Sequence, residues 1–268
     1  MSQTNAGKRP LAGQVAVVTG STQGIGGGIA LKLAEAGARI LVHGRDGQRA
    51  GGEKIAADIE AAGSQAALVT GDLRDESHCR SIVRSALSRF GRVDILVNNA
   101  GVVHRGTIED TSTELWDEIF AVNLRAPFLL CQEAVRHMKE RRSGCIVNIG
   151  SVNAHCGLKR LLPYSSSKGA LMTFTKNLAN YLTKYRIRVN QINPGWVLTE
   201  GERHVVAVLE GKGENWVEDA VKTRPFGRML FPADIANAVL FFASNEPISG
   251  AVLDFEQGPF GAPSELPI

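Results

Sequence analysis

Residues 14–37 constrain the fold of this chain more than any other stretch. They begin with QVAVVT, a short run of apolar and β-branched residues that is typical of a buried strand. A glycine-rich turn follows, and a helical pattern of apolar residues then continues to Gly37. A strand, a glycine-rich turn and a helix in this order are typical of the first unit of a parallel α/β sheet.

The glycines of this turn follow a GxxxGxG spacing rather than the commoner GxGxxG. The first glycine allows a sharp turn, and the later ones let the backbone approach a pyrophosphate at the helix N-terminus, where free N–H groups favour anions. A strand–turn–helix unit that binds no ligand is the alternative. The spacing favours a dinucleotide site, whose residues are Gly20, Ser21, Thr22, Gln23, Gly24, Ile25 and Gly26.

Strand patterns and helical patterns alternate along the rest of the chain. The segments with strand character are residues 14–19, 39–44, 65–70, 93–97, 145–149, 187–192 and 249–256. This alternation predicts an α/β fold, a Rossmann-like doubly wound parallel sheet of about seven strands with helices on both faces. Ligands of such sheets bind at the carboxyl ends of the strands, so residues that follow the predicted strands are candidate site residues.

The length of 268 residues suits one domain with a full core. We expect a flexible arm at residues 1–12, a single domain at residues 13–258 and a tail rich in Pro and Gly at residues 259–268. Residues 196–231 interrupt the alternation, and a long excursion at this place predicts a lid over the substrate. Trp216 either covers the substrate or packs a short helix onto the domain.

Charge and cysteine content exclude several classes of protein. The formal net charge of +3 is small and the basic residues are spread out, so no nucleic-acid partner is expected. The four cysteines lack CxxC or zinc spacing, which favours reduced thiols in a cytoplasmic protein without a metal site. A polar N-terminus argues against a signal peptide, and the absence of a long apolar run argues against a membrane partner.

Residues 148–168 carry the candidate chemistry. Pro163 and Tyr164 open a predicted helix, and Lys168, four residues on, lies on the same helix face as Tyr164. A phenol beside an ammonium group is a candidate general acid/base, because the positive charge lowers the pKa of the phenol towards the working pH. Ser151, at the end of the preceding strand, can offer a hydroxyl to the same substrate oxygen. A surface Tyr–Lys pair on an amphipathic helix is the alternative.

The end of the second predicted strand bears on the choice of cofactor. Dinucleotide folds often place an acid there to hold the ribose 2′-OH of NAD, but this chain has Gly44 followed by Arg45. Arginine can pair with a phosphate through two hydrogen bonds, so Arg45 favours NADP over NAD. Asp46 is either a displaced ribose ligand or the N-cap of the next helix, and we favour the cap.

Over residues 13–258 the chain resembles the short-chain dehydrogenase/reductase family. The segments that match it in order and spacing are Thr19-Gly20-xxx-Gly24-x-Gly26, Asp72-Leu73, Asn98-Asn99-Ala100-Gly101, Asn123, Ser151, Tyr164-xxx-Lys168 and Pro194-Gly195. The resemblance implies a nicotinamide cofactor, the interconversion of a secondary alcohol and a ketone, and a homo-oligomer, either tetramer or dimer. Two departures are Gln23, where NADP-dependent relatives often have a basic residue, and Asp254-Phe255-Glu256-Gln257-Gly258, where many relatives have a Gly-Gly pair.

The resemblance also implies roles by position. Tyr164 would be the acid/base, Ser151 would hydrogen-bond the substrate oxygen, and Lys168 would lower the pKa of Tyr164 and hold the nicotinamide ribose. Asn123 would fix a water of a proton relay behind Lys168. The further cofactor residues would be Asp72, Leu73, Asn99, Ala100, Gly101, Pro194, Gly195, Val197 and Thr199.

The substrate is a small-molecule alcohol or ketone in this interpretation. Asn153, His155 and Trp196 are candidate substrate residues beside Ser151, although His155 is alternatively an ordinary loop histidine. This polar set suits a sugar, polyol or sugar acid, and a 3-oxoacyl thioester or a small cyclic ketone is the alternative. A dinucleotide-binding regulator without turnover is an alternative of another class. Such proteins usually lack one of the four catalytic residues, and none is lost here.

Overall fold

The computed structural model describes residues 9–258 except 210, 212 and 214. Most of the predicted arm and the whole predicted tail at residues 259–268 lie outside the described residues. The prediction of a flexible arm is wrong for residues 9–12. Leu11 is fully buried and its N–H donates to the carbonyl oxygen of Ala36 at 2.9 Å, which ties this segment to the end of the first helix.

Seven strands form one parallel sheet in the order β3-β2-β1-β4-β5-β6-β7, as the sequence predicts. The strands are Val15–Val18 (β1), Arg39–Gly44 (β2), Ala66–Thr70 (β3), Ile95–Asn98 (β4), Gly144–Ile149 (β5), Ile187–Pro194 (β6) and Val252–Phe255 (β7). The order reverses between β1 and β4, so a crevice opens there at the carboxyl ends of the strands.

Helices cover both faces of the sheet, which confirms the doubly wound prediction. They are Gly24–Glu35 (α1), Arg49–Ala61 (α2), Glu76–Phe90 (α3), Thr113–Phe120 (α4), Ala126–Arg141 (α5), Leu162–Leu182 (α6), Glu200–His204 (α7), Trp216–Lys222 (α8) and Pro232–Ser244 (α9). One π-helical turn, Ala121–Arg125, joins α4 to α5.

The helix caps test the predicted boundaries. Asp75 accepts a hydrogen bond from the N–H of Ser77 and begins α3, and Ser112 accepts one from the N–H of Leu115 and begins α4. The prediction that Asp46 caps the next helix is wrong. Asp46 begins a short 3₁₀ turn instead, and α2 follows at Arg49 without a side-chain cap.

Two apolar layers enclose the sheet. Residues such as Ile29, Ile40 and Val239 fill the layer under α1 and α9, and residues such as Ile82 and Leu129 fill the layer under α3 and α5. Both faces of the central strands are therefore buried, which is why VAVV in β1 and ILV in β4 are continuously apolar.

The excursion after β6 has a small core of its own. Leu198, Val206, Trp216, Ala220 and Met229 form this core, and a bridge between Val197 and Leu230 joins it to the rest of the domain. Trp216 is only 4% exposed, so it packs the excursion internally.

Candidate active site

The glycine turn between β1 and α1 is closed by backbone contacts that leave no room for side chains. Gly20 and Gly24 have φ values of +61° and +56°, which glycine adopts most easily. A Cβ at Gly20 would lie 2.9 Å from the Cα of Ala100, and a Cβ at Gly26 would overlap with the carbonyl oxygen of Gly20. The turn therefore needs glycine at Gly20 for both reasons, at Gly24 for its backbone conformation and at Gly26 for packing.

Asn99 and Thr19 tie the glycine turn to the end of β4. The Nδ2 group of Asn99 donates to the carbonyl oxygens of Thr19 and Gly20 at 2.9 and 3.0 Å. The hydroxyl of Thr19 accepts from the backbone N–H groups of Asn99 and Ala100 at 3.0 and 3.1 Å. These contacts brace the carboxyl ends of β1 and β4, where the crevice opens.

The other side chains of the turn lie mostly inward. The Ser21 hydroxyl donates to the carbonyl oxygen of Val18 at 2.7 Å and accepts from the N–H of His43, so it braces the turn from below. Thr22 is buried and Ile25 packs against the core, whereas Gln23 is exposed at the start of α1. The turn therefore offers mainly its backbone N–H groups to a ligand.

Gly44 ends β2 without space for a side chain, because a Cβ there would overlap with the Thr22 side chain. Arg45 follows with an exposed side chain. Asp72, beyond β3, accepts hydrogen bonds from the guanidinium and the backbone N–H of Arg74, at 2.6 and 2.8 Å. The Arg74 hydrogen bond lowers the pKa of Asp72, and the charge of Arg45 acts in the same direction. Leu73 is buried beside it.

Tyr164 lies in the first turn of α6 and is 9% exposed. Burial raises the pKa of its phenol, a hydrogen bond with Ser151 acts in the opposite direction, and the negative charge of Glu202 adds to the increase. The prediction that this pKa is lowered towards the working pH is therefore wrong for this structure, because burial has the largest effect. Ser151 follows β5 and is also buried. The two hydroxyl side chains that the sequence singled out therefore meet at the carboxyl end of β5.

Lys168 lies one turn further along α6 and is 4% exposed. Its ammonium group donates to the carbonyl oxygen of Ile149 at 2.8 Å and lies 5.7 Å from the centre of the Tyr164 ring. Burial lowers the pKa of Lys168 to about 8. The amine thus stays close to the phenol and changes charge near neutral pH.

Asn123 lies in the π-helical turn between α4 and α5. Its Oδ1 atom accepts from the N–H of Val102 at 2.9 Å, and its Nδ2 group donates to the Val102 carbonyl oxygen and to the Ser167 hydroxyl, both at 3.0 Å. A Cβ at Gly101 would lie 3.3 Å from Asn123 Oδ1 and 3.5 Å from Lys168 Nζ, so the three residues meet. The π turn carries no signal in the sequence.

The segment that follows β6 leads into α7, which begins against the glycine turn. Gly195 donates its N–H to the carbonyl oxygen of Phe255 at 2.9 Å, next to Pro194 at the end of the strand. Thr199 caps α7 by accepting from the N–H of Glu202 at 3.1 Å. A Cβ at Gly24 would lie 3.6 Å from the methyl group of Thr199, so α7 begins against the glycine turn. Val197 lies buried between these two features.

The candidate substrate residues make contacts that the sequence did not predict. Asn153 donates its backbone and side-chain N–H groups to the Ser151 hydroxyl, both at 3.2 Å. His155 places Nε2 3.0 Å from both carboxylate oxygens of Asp254. Each side chain is therefore held by a neighbour at the carboxyl end of the sheet.

Trp196 donates its indole N–H to Glu202 at 2.7 Å and stacks on Trp216 with ring centres 5.3 Å apart. Glu202 was missed among the candidate site residues. The only signal for it is its place three residues after the Thr199 cap. Its charge acts on Tyr164, so it belongs to the same site.

Two further observations concern the described residues alone. In that part of the chain, no three side chains of His, Cys, Asp or Glu are grouped so that they could hold a metal ion. None of the helices in the described ranges has both the length and the apolar character needed to cross a bilayer.

A parallel sheet with a glycine turn at its switch point and a buried Ser–Tyr–Lys cluster is typical of oxidoreductases that use a nicotinamide dinucleotide. The family model described as short chain dehydrogenase matches residues 14–208, and the chain belongs to this family. It is therefore an alcohol or ketone oxidoreductase that binds NAD or NADP. This confirms the family, the fold and the enzyme class predicted from the sequence.

Individual relatives agree with this assignment. An uncharacterized oxidoreductase of Methylorubrum extorquens is 38% identical over 92% of this chain and 98% of its own length. A versicolorin reductase of Emericella nidulans is 34% identical over 93% of this chain and 97% of its own. The crystal structure of an NAD⁺-bound xylitol dehydrogenase has a TM-score of 0.84 and 26% identity, covering 92% of this chain and 99% of that one.

Proposed function

We propose that this enzyme interconverts a secondary alcohol and a ketone on a polyhydroxylated substrate, such as a sugar, polyol or sugar acid, and that it favours NADP over NAD. The observation that carries the proposal is the meeting of Ser151, Tyr164, Lys168 and Asn123, all buried, beside the glycine turn. The four residues are intact, which argues against a regulator that binds a dinucleotide without turnover.

In this proposal Tyr164 moves the hydroxyl proton. Because burial raises the pKa of its phenol, Tyr164 is protonated at neutral pH and is ready to act as the acid in ketone reduction. Ser151 donates a hydrogen bond to the substrate oxygen, where negative charge develops. Lys168, charged below its pKa of about 8, favours the phenolate that forms after the proton leaves. Asn123 holds the water of the proton relay.

The bound nicotinamide cofactor supplies or accepts the hydride. The glycine turn fits it, because the side chains of Ser21 and Thr22 are buried and the start of α1 has no side-chain cap, which leaves its backbone N–H groups for an anion. The turn would hold the pyrophosphate, and Asp72 and residues 99–101 would surround the adenosine. The nicotinamide side of the cofactor would be held by Lys168, Pro194, Gly195, Val197 and Thr199, as the family resemblance implies.

The preference for NADP rests on the end of β2. Gly44 has no space for an acidic side chain that could hold a ribose hydroxyl, and Arg45 presents an exposed guanidinium next to it. The NAD⁺-bound xylitol dehydrogenase shows that a similar fold also accepts NAD. We therefore propose a parallel fluorescence titration with NADPH and NADH. Tighter binding of NADPH supports this reading, whereas equal or tighter binding of NADH contradicts it.

The polyhydroxylated substrate is supported by the polar groups around Tyr164. Asn153 follows β5, and Glu202 and the indole N–H of Trp196 follow β6, so donors and acceptors lie after two neighbouring strands. The similarity to a xylitol dehydrogenase agrees with a polyol. Residues 196–231 would act as the lid, because they form a separate small core over this side of the sheet.

Replacing Tyr164 by Phe tests the proposal. The variant removes only the hydroxyl, so we expect kcat to fall by about 10²–10⁴-fold in a panel of polyols, sugar acids and ketones. Cofactor affinity should stay unchanged. Tyr181→Phe, on the exposed side of the same helix, is the matched control and should keep full activity. Full activity of Tyr164→Phe would refute the assignment.

One exposed apolar face, around Phe128, supports the proposal of a homo-oligomer. Phe128 is 46% exposed and packs edge-on against Phe174 on α6, beside a groove of about 860 Å³ between α4, α5 and α6. A second copy of the chain would cover this face. Sedimentation of Phe128→Glu should show smaller particles than the unaltered protein, which should sediment as a dimer or tetramer.

The cytoplasmic location also stays a proposal. Cys79, Cys131 and Cys145 are buried thiols and Cys156 is an exposed one, and none forms a disulfide. Free thiols of this kind are typical of a reducing compartment.

A further inference from the structure

A chain of buried polar side chains crosses the catalytic half of the sheet. It begins at β4, passes through β5, α6 and β6, and ends on β7. Its buried members are at most 2% exposed, and they are Asn98, Asn148, Thr175, Gln191 and Asn193. The last member, Asp254, is partly exposed at the carboxyl end of β7.

Every hydrogen bond of this chain is short. Asn98 donates to Asn148 and Asn148 donates to Thr175, both at 2.8 Å. The Thr175 hydroxyl then lies 2.9 Å from Gln191 Oε1. Beyond it, the amide of Gln191 donates to the amide oxygen of Asn193 at 2.7 Å.

The chain ends on a carboxylate. The Nδ2 group of Asn193 donates to Asp254 at 2.8 Å. The Thr175 hydroxyl has one proton and two acceptors, Gln191 Oε1 and the Leu171 carbonyl oxygen at 2.8 Å. With that proton on the Gln191 side, all of these bonds run in one direction, from Asn98 towards Asp254, and bonds aligned in this way polarise and strengthen one another.

Asp254 sets this direction. An ionised carboxylate only accepts hydrogen bonds, so the Asn193 amide must turn its Nδ2 group towards Asp254 and its oxygen away. At the far end, Asn98 Oδ1 has no hydrogen-bond partner among the described residues. A buried acceptor of this kind costs roughly 1–3 kcal/mol. If the Asn98 amide were reversed, its oxygen would lie against the Asn148 oxygen. The direction that Asp254 imposes therefore leaves the unpaired acceptor at Asn98.

The Asn193 amide connects this series of buried polar side chains to the proposed catalytic residue Ser151. Its oxygen, turned away from Asp254, accepts from the backbone N–H of Ser151 at 3.2 Å. A Cβ at Gly150 would overlap with this oxygen and with the Gln191 amide, so the chain has glycine where the two strands approach most closely. Ser151 is thus held at its own backbone by an amide whose orientation depends on Asp254.

The same carboxylate holds the segment that follows Ser151. A short 3₁₀ turn, Val152–Ala154, leads from Ser151 to His155. His155 places Nε2 3.0 Å from both oxygens of Asp254. Asp254 therefore contacts one end of this five-residue segment directly and the other end through Asn193.

We propose that Asp254 is a positioning residue of the alcohol–ketone reaction, which orients the Asn193 amide to fix Ser151 and holds the loop beyond it through His155. This inference rests on the proposed role of Ser151. Asp254 itself does not touch the reacting atoms. A misplacement of a catalytic group by about 1 Å can cost about 100-fold in rate, so its effect should appear in kcat.

The first test is Asp254→Asn, which keeps the shape of the side chain and removes the purely accepting group. We expect kcat to fall by about 10- to 100-fold, with a much smaller change in cofactor affinity, because the glycine turn proposed to hold the pyrophosphate lies at the other half of the sheet. Asp58→Asn, at an exposed carboxylate on α2, is the control and should leave kcat unchanged. Unchanged kcat in Asp254→Asn would overturn the proposal.

A swap of the two groups separates positioning from charge. The single variant Asn193→Asp places two carboxylates in contact and should be the most impaired. The double variant Asn193→Asp/Asp254→Asn restores an acceptor for the Ser151 N–H and a donor–acceptor pair between the two side chains. It should recover most of the kcat lost in Asp254→Asn. If the folded double variant recovers no kcat, the proposal is overturned. If Asp254→Asn does not fold, the kcat of the double variant alone decides.

Amide hydrogen exchange at Ser151 gives a readout that needs no substrate. Asp254→Asn no longer forces the Asn193 oxygen towards the Ser151 N–H, so exchange of this N–H should become faster, and the double variant should slow it again. If Tyr164→Phe keeps activity, the proposed function fails while this exchange result stands. If exchange does not change in Asp254→Asn, the positioning role fails even when Tyr164 is catalytic.

Discussion

The two halves of the sheet hold their functional ends by different means. At the cofactor half, glycines leave no space for side chains where segments approach each other: a Cβ would meet backbone atoms at Gly20 and Gly26, and the Thr22 side chain at Gly44. At the catalytic half, β5 and β6 carry buried amide side chains that hydrogen-bond across the sheet, such as Asn148 and Gln191. The first half is built from close backbone approach, and the second from directed hydrogen bonds.

The difference predicts how each half fails. A backbone contact has no tolerance for an added methyl group, because neither side can rotate away. A chain of side-chain hydrogen bonds tolerates a substitution that keeps the shape of the side chain but not one that removes a hydrogen-bond partner. Each orphaned buried group costs about 1–3 kcal/mol. Damage to the cofactor half should therefore appear in cofactor binding, and damage to the catalytic half in stability and turnover.

The largest effect is expected for Gly26→Ala. Its Cβ would overlap with the carbonyl oxygen of Gly20, so the turn must open, at a cost of about 3 kcal/mol. We expect NADPH affinity measured by fluorescence to fall by about 100-fold, which corresponds to that energy. Gly47→Ala is the control, since a Cβ there meets nothing within 4 Å. Normal affinity in Gly26→Ala would mean that the turn is not the cofactor site.

Asn148→Leu tests the catalytic half. It leaves the donor of Asn98 and the acceptor of Thr175 without their partner in the buried chain. The free energy of unfolding should fall by about 3 kcal/mol in denaturant titrations, while NADPH affinity stays unchanged. Asn177→Leu removes an exposed amide from α6 and should cost far less. Equal losses in the two variants would show that the buried chain adds little to stability.

The same difference explains what the sequence could predict. The spacing of Gly20, Gly24 and Gly26 predicts a backbone turn, and apolar strands predict a buried parallel sheet, so the fold and the glycine turn were predictable. Asn148 looks like a single polar residue within an apolar strand, and Gln191 like one of several polar residues in β6. Their partners lie on other strands and on α6, and the sequence gives no measure of such contacts.

Other features depended on tertiary structure in the same way. The π turn that places Asn123 has an ordinary helical sequence, AVNLR, and Glu202 is identified only by its hydrogen bond with Trp196 and by the effect of its charge on the pKa of Tyr164. Asp46 resembled a helix cap, but the short 3₁₀ turn moved the start of α2 to Arg49. Local patterns thus identified the elements and the Tyr–Lys pair, while the residues that hold the pair came from the packing.

A smaller effect is expected from Lys168, the buried charge of the catalytic half. Its pKa is lowered from 10.5 to about 8, so between these values the unfolded chain holds a proton that the folded protein has released. The free energy of unfolding therefore rises with pH in this window, by up to about 2–3 kcal/mol between pH 8 and 10. The raised pKa of Tyr164 acts in the opposite direction, above its ordinary value of 10.

Lys168→Met should remove this slope. The measurement is the free energy of unfolding of both proteins at several pH values from 8 to 10, because groups other than Lys168 contribute equally to each. The unaltered protein should gain stability relative to the variant as the pH rises. A constant difference between the two would mean that Lys168 keeps its ordinary pKa in the folded state.

The smallest effect is expected from Arg45, the exposed charge of the cofactor half. A charge-assisted hydrogen bond contributes about 1.5–3 kcal/mol, and exposure to water reduces this, so Arg45→Ala should weaken NADPH binding by about tenfold. NADH affinity should not change, and Arg89→Ala, at an exposed arginine of α3, should affect neither. Because an exposed pair is screened by salt, the NADPH effect should shrink as ionic strength rises. An equal loss for both cofactors would assign Arg45 to the shared part of the dinucleotide, and the preference for NADP would then lose its main support.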